Sequence, residues 1–298
     1  MRILMCPGQG SQSEGFLKDW FDNVSGFEAK VAELGVAAGK DLVRLGTTAS
    51  EEEIKATENA QPLIVAASIA AARTAIELEN IQGVVGHSVG EFAAAAIAGV
   101  ISDQEAIRLV SVRANAMAEA ANLERTSMAA VLGGEESLVI NALQTLGLSA
   151  ANYNGAGQIV AAGSKTAITA LVANPPEKTR VIELKVAGAF HTDYMKPAVE
   201  ALAQAAADVV AKDPILKLWS NVDGEVVTSG QKFLATLVSQ VSNPVRWDLC
   251  MASMDNFSPA VIELPPAGAL AGLAKRGMPN SNAIALKSSM DLDKLGAL

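Results

Sequence analysis

The chain has 298 residues, half of them apolar and 18% charged, enough apolar sequence to bury a large core, which excludes a disordered chain. Its formal net charge of −9 disfavours nucleic-acid binding over the whole surface, which usually needs a basic protein. At roughly 100–200 residues per domain, the length suits one large domain or a large one carrying a smaller one.

Arg2 to Cys6 reads as a short buried strand, and the loop Pro7-Gly8-Gln9-Gly10-Ser11-Gln12 follows it. The apolar start is too short for a secretory signal. Helical patterns fill the next stretch, one of them after Pro62, a residue that suits a first helical turn. Arg73 interrupts the apolar run from Pro62 to Ile76, and Ala93 to Ile101 is too short to span a bilayer, so no membrane contact is expected and the protein is read as cytoplasmic. Val84-Val85-Gly86 looks like a strand running into Ser88. Gly90 to Ala98 reads as an Ala-rich helix that Gly99 stops. Ser102 and Glu105 form a capping-box pattern ahead of a helix that carries Arg113 and Met117.

The pattern then changes. Strands are expected at Ser127–Leu132, Leu148–Tyr153, Gln158–Ala162 and Thr179–Val186, with helices at Glu135–Thr145 and Lys165–Ala173. That β-α-β-β-α-β order is ferredoxin-like, and a small α+β subdomain is expected at 124–187, inserted into a large α/β domain made of 1–123 and 188–298. A helix after His191, capped by Thr192 or Asp193, returns the chain to the large domain. Strands at Leu216–Ser220, Ala260–Leu264 and Ala283–Leu286 alternate with helices, which argues for a mostly parallel sheet. From Ser288 on, a surface tail is expected. Cys6 and Cys250 are too few and too far apart for a disulfide framework or a zinc site.

Gly86-His87-Ser88-Val89-Gly90 fits G-x-S-x-G between an apolar strand and an Ala-rich helix. A sharp strand-to-helix turn lifts the serine hydroxyl over the sheet edge, and the helix N-terminus behind it favours a developing oxyanion. A serine hydroxyl needs a base to become a nucleophile. The chain has only two histidines, His87 and His191. His87 precedes the serine on the strand, so its side chain is expected to point away and to be structural. His191 is left as the base. No nucleotide-binding glycine motif is present.

These segments, taken with the rest of the chain, resemble the malonyl-CoA:acyl carrier protein transacylases and the acyltransferase domains of fatty acid and polyketide synthases. The resemblance rests on Pro7 to Gln12, Gly86 to Glu91, Arg113, Asn152-Tyr153-Asn154 before Gly157-Gln158-Ile159-Val160, Ala189-Phe190-His191, and Gln240 ahead of Asn243-Pro244-Val245. It implies a hydrolase-like α/β core with a ferredoxin-like insert. It implies that Ser88 is acylated and His191 is its base, and that Gln9 and Val89 give the backbone N–H groups of the oxyanion hole. Arg113 would bind the malonyl carboxylate, Gln240 would hold His191 through a carbonyl, and Asn154 would lie near the site. Phe190 would fill the space an α-methyl branch needs, and so select malonyl over methylmalonyl groups by exclusion. Glu263-Leu264-Pro265-Pro266-Ala267-Gly268 departs from the commoner Gly-Pro-Gly form of this loop.

The implied partners are malonyl-CoA and acyl carrier protein, with no metal and no cofactor, acting on a monomer by a ping-pong route. The carrier is usually acidic, so a local basic patch drawn from Lys185, Lys196, Arg246, Lys275 and Arg276 is expected. Rival readings are a serine esterase or thioesterase, which would carry an acid between serine and histidine in chain order, a non-enzymatic scaffold on the same fold, and a transacylase of polyketide synthesis or malonate decarboxylation.

Overall fold

The computed structural model of the chain describes residues 1–297. Among the described residues, ten strands form two sheets: β1 (Arg2–Cys6), β2 (Gly83–Gly86), β3 (Thr126–Gly133), β4 (Ser149–Gly155), β5 (Gln158–Ser164), β6 (Thr179–Glu183), β7 (Lys217–Trp219), β8 (Val245–Arg246), β9 (Ala260–Glu263) and β10 (Asn282–Ala285).

The first sheet has the order β10-β9-β1-β2-β7, and every pair in it is parallel. Parallel strands are covered on both faces and read as continuous apolar runs. The Ile3-Leu4-Met5-Cys6 run is such a strand. Leu4 and Cys6 pack with Val84 and Ile262 into the main core beneath helices 57–74 and 90–97. Ile3 and Met5 pack with Val85 and Val261 on the opposite face, against Trp247, Met251, Leu270 and Leu273 of helices 247–255 and 269–277. Strand alternation therefore divides five residues of sequence between two layers.

The second sheet runs β6-β3-β5-β4-β8, antiparallel except for the parallel pair of β4 and β8. One face, with Ala129, Val131, Ile159 and Ala161, is closed by helices 136–145 and 165–173. The other face, with Met128, Val160 and Ala162, joins the main core. The architecture is thus mixed α/β, a mostly parallel sheet beside a second one. Among the described residues, no helix is long and apolar enough to cross a membrane.

The strands and helices expected from patterning form where they were read, within a few residues, and the Ser102–Glu105 capping box is present in full. Three expectations change. Pro62 lies inside helix 57–74, not at its start; its ring removes a single intrahelical bond, the one to the Glu58 carbonyl. β6 ends at Glu183 because Val186 N–H turns back to Leu184 O, which sends Leu184 and Val186 into the cavity described below. The segment after Ser288 is not a loose tail. Ser289–Ala297 forms 3₁₀ turns, Ser289 N–H donates to Asp19 Oδ2, and Leu292 and Leu295 pack on the main core.

Candidate active site

β2 delivers the chain to a turn so tight that its neighbours admit no side chain. A Cβ on Gly86 would stand 2.1 Å from the Gly90 carbonyl carbon, and one on Gly90 would stand 2.2 Å from Cys6 O. Ser88, between them, is held at φ 52°, in the left-handed region that an L-residue enters at a cost. His191 is in the same region at φ 62°. These two strained residues face each other, with Ser88 Oγ 2.7 Å from His191 Nε2.

The tautomer follows from the other ring nitrogen. His191 Nδ1 lies 2.9 Å from the main-chain oxygen of Gln240, which can only accept. Nδ1 therefore carries the proton, and Nε2 is free to accept from the serine hydroxyl. Burial, then the nearby charge of Arg113, push the imidazole down to about 3, so it stays neutral. The carbonyl expected to hold His191 is thus the backbone carbonyl of Gln240, and no carboxylate takes that position.

Arg113 reaches this pair from helix 103–121 and is 1% exposed. Its Nη2 is 3.4 Å from Ser88 Oγ and 3.4 Å from Gln240 Oε1, and its Nη1 donates to Gln61 Oε1 at 2.7 Å. Nε has no partner among the described residues. Burial lowers the guanidinium to about 10, opposed by the charge of Glu91, so it remains a cation at neutral pH. A buried cation with an unsatisfied donor fits an anionic ligand.

A cavity of about 470 Å³ opens over this group, with Gln9, Ser88, Val89, Arg113, Phe190 and His191 in its wall. The N–H groups of Gln9 and Val89 have no intraprotein acceptor among the described residues, whereas Ser88 N–H is taken by Asn221 Oδ1 at 2.8 Å. Met128 and Val160 bring the second sheet's inner face to the same space, and Leu184 and Val186, beyond the end of β6, add to it. Asn154 lines it too, and its Oδ1 accepts from His87 Nε2 at 3.0 Å. His87 lies one residue past β2 and lines the cavity too; burial lowers its pKa, so it is neutral, and its Nε2 is engaged by Asn154 rather than by the serine hydroxyl.

Of the five basic residues considered for a carrier patch, Arg276 borders the cavity. Arg246 is bound to Asp248 and stacked on Tyr153, and Lys196 is paired with Asp193. A larger cleft, about 1170 Å³, opens by Met1, Gln82 and Asn282 at the other end of the parallel sheet and includes none of the site residues above.

Three residues of the site were missed by sequence reasoning. Gln61 was visible as a polar residue opening an apolar helical run. Glu91 is marked in the sequence only as the residue that follows the serine motif. Asn221 left no signal, since it sits in a turn after β7 and reaches the elbow across 133 residues.

The acyl transferase domain family is matched over residues 3–291. The chain is 50% identical over 303 residues to the malonyl CoA-acyl carrier protein transacylase of Mycobacterium tuberculosis, covering 100% of both. It is 33% identical to the protein of that name from Escherichia coli K12, over 94% of each. Among solved structures, the crystal structure of MCAT from Mycobacterium tuberculosis superposes with a TM-score of 0.93 at 49% identity, covering 99% of both chains. A complex of a type II PKS acyl-carrier protein with its malonyl-transacylase contains a chain that matches at a TM-score of 0.91 and 31% identity, over 98% of each.

Proposed function

The chain belongs to the acyl transferase domain family, and on that premise we propose that it moves a malonyl group from malonyl-CoA to the phosphopantetheine thiol of acyl carrier protein, in fatty acid biosynthesis. The observation that carries this reading is the meeting of three groups in one cavity: the Ser88 hydroxyl, an imidazole 2.7 Å from it and a buried guanidinium 3.4 Å from it. A serine and a base suffice for any acyl group. The cation is what selects an acyl group that ends in a carboxylate.

The reaction is ping-pong. His191 Nε2 takes the proton of Ser88 as Oγ attacks the thioester carbon. The N–H groups of Gln9 and Val89 hold the oxyanion; losing one such donor costs about 3 kcal/mol. The intermediate collapses, the C–S bond breaks, and the departing CoA sulfur takes the proton from His191. The carrier thiol then gives its proton to His191 and attacks the malonyl-serine ester, and Ser88 Oγ leaves with that proton. Arg113 holds the malonyl carboxylate throughout, and Phe190 limits the space beside the α-carbon. Asn154 supports the wall of the cavity. No metal or cofactor enters the sequence.

Holding of Nδ1 by a main-chain carbonyl rather than an acid supports transfer over an ordinary esterase triad. The strand order β6-β3-β5-β4, with both helices on one face, supports a ferredoxin-like subdomain at 124–187. The parallel sheet ending in the Ser88 elbow supports a hydrolase-like domain built of 1–123 and 188–298. We read the protein as a monomer and assign it to the cytoplasm.

Intact-protein mass spectrometry after mixing with malonyl-CoA tests the reading. The wild-type protein should gain one malonyl group, hold it, and release it when carrier protein is added. Ser88→Ala should gain none. Label on Ser88→Ala, or fast release to water alone, would remove the assignment. The carrier protein loaded fastest identifies the pathway.

A further inference from the structure

Both catalytic residues sit in left-handed backbone, Ser88 at φ 52° and His191 at φ 62°. Strain of that kind persists only where the surroundings over-determine it. The restraints on the two residues converge on one side chain. Glu91, in the first turn of helix 90–97, is 1% exposed. Its Oε1 accepts from Asn221 N–H at 2.7 Å. Asn221 in turn grips the elbow from both sides, accepting from Ser88 N–H at 2.8 Å and donating from Nδ2 to Gly86 O at 2.8 Å. Glu91 Oε2 accepts from Gln240 Nε2. The main-chain oxygen of that same Gln240 fixes His191 Nδ1–H at 2.9 Å.

We infer that Glu91 is a positioning residue for the whole catalytic pair, one carboxylate oxygen fixing the nucleophile through Asn221 and the other fixing the base through Gln240. The inference rests on the assignment of Ser88 and His191 made above. Burial raises the Glu91 pKa, while the N–H donors on both of its oxygens and the nearby Arg113 cation hold the group in its ionised form. Both oxygens accept, an arrangement that suits the carboxylate.

Glu91→Gln makes the test sharp. A glutamine keeps the shape but has one acceptor and one donor, so one of the two N–H donors faces an NH₂. Flipping the Gln240 amide only moves the clash to Arg113 Nη2, which lies 3.4 Å from Gln240 Oε1. The rate of Ser88 acylation by malonyl-CoA should fall roughly 10- to 100-fold, the scale seen when the outer partner of a metal-bound histidine is lost. KM should change by less than about threefold, since the carboxylate grip is untouched. Labelling by a fluorophosphonate, which needs the activated serine but no carboxylate, should fall by the same factor. The protein has two histidines, so ¹⁵N-histidine labelling gives two rings to follow. The His191 Nδ1–H resonance should shift or broaden in Glu91→Gln while that of His87 stays.

A raised KM with unchanged fluorophosphonate labelling would mean that Glu91 serves only as counter-charge to Arg113, and would overturn the inference. A lowered melting temperature with unchanged rates and an unchanged His191 resonance would also overturn it. If Glu91→Gln does not fold, Asn221→Ala carries the serine half, with the same loss of labelling expected. Hydrogen exchange on the wild-type protein needs no variant: the Ser88 amide should exchange as slowly as those of β1, and fast exchange would defeat the proposal. If wild-type protein takes no malonyl group, the transferase reading falls, while the fluorophosphonate and resonance measurements still judge Glu91.

Discussion

An imidazole that acts as a base must be neutral when the substrate arrives, and its surroundings decide whether it is. Burial, then the Arg113 charge, lower His191 from 6.5 to about 3. A base of this kind is competent above its pKa and is lost as pH falls through it. Fluorophosphonate labelling of Ser88 should therefore hold level as pH falls through 6.5, and its acid limb should lie well below. Arg113→Ala removes the second cause and leaves burial, so the limb should move up toward 6.5 without reaching it. A wild-type limb at 6.5 would mean that His191 is solvated or is not the base. In the same variant, kcat/KM for malonyl-CoA should fall on the order of 100-fold or more, because a charge-assisted pair is lost, while acetyl transfer should not fall. The substrate itself acts in the same direction as the mutation: a carboxylate on Arg113 offsets the charge that depresses His191, so the base strengthens when the correct acyl group is bound.

The strand-to-helix elbow is the element that the sequence announced most clearly, and its reason is local. Gly86 and Gly90 are read from spacing alone, and the space denied to a Cβ at each explains them. Gly90→Ala should destabilise the protein by roughly 3 kcal/mol, since the new methyl meets the backbone of Cys6 and Pro7 rather than a side chain that can move. Gly296→Ala, whose Cβ would meet nothing within 4 Å, is the control in urea unfolding. Equal midpoints would mean that the elbow has slack. The alternation of the second sheet was legible for the same local reason, since Met128 and Ala129 must face opposite sides. The partners of the elbow were not legible. Glu91 meets Asn221 across 130 residues and Arg113 meets Gln61 across 52, and helix packing, not any local period, sets those meetings. Gln240 was marked by its motif, but its division of labour, main chain to His191 and side chain to Glu91, follows from how the 3₁₀ turn 240–242 presents it.

Across the whole molecule, the site exists only because two sheets are held a fixed distance apart. The parallel sheet carries the elbow, and the inner face of the other sheet carries the opposite wall. Two contacts tie them together: Arg246 N–H of β8, at the edge of the second sheet, donates to Asn221 O in the turn after β7 at 2.8 Å, and His87, just past β2, hydrogen-bonds Asn154 of β4 at 3.0 Å. The first lies at the sheet's edge, and the second crosses the cavity wall itself. Asn154→Ala leaves the buried, neutral His87 with an unpaired Nε2–H, a loss of about 1–3 kcal/mol that urea unfolding should register. The second sheet is then freer to draw back, so KM for malonyl-CoA should rise. Fluorophosphonate labelling should change far less, since the contact between Ser88 and His191 does not involve Asn154. The comparison separates the two ways in which this asparagine can matter. If labelling falls as far as malonyl transfer does, Asn154 acts through His87 on the nucleophile. If only malonyl transfer falls, it acts on the width of the cleft, which is what a hydrogen bond between the two sheets is placed to control.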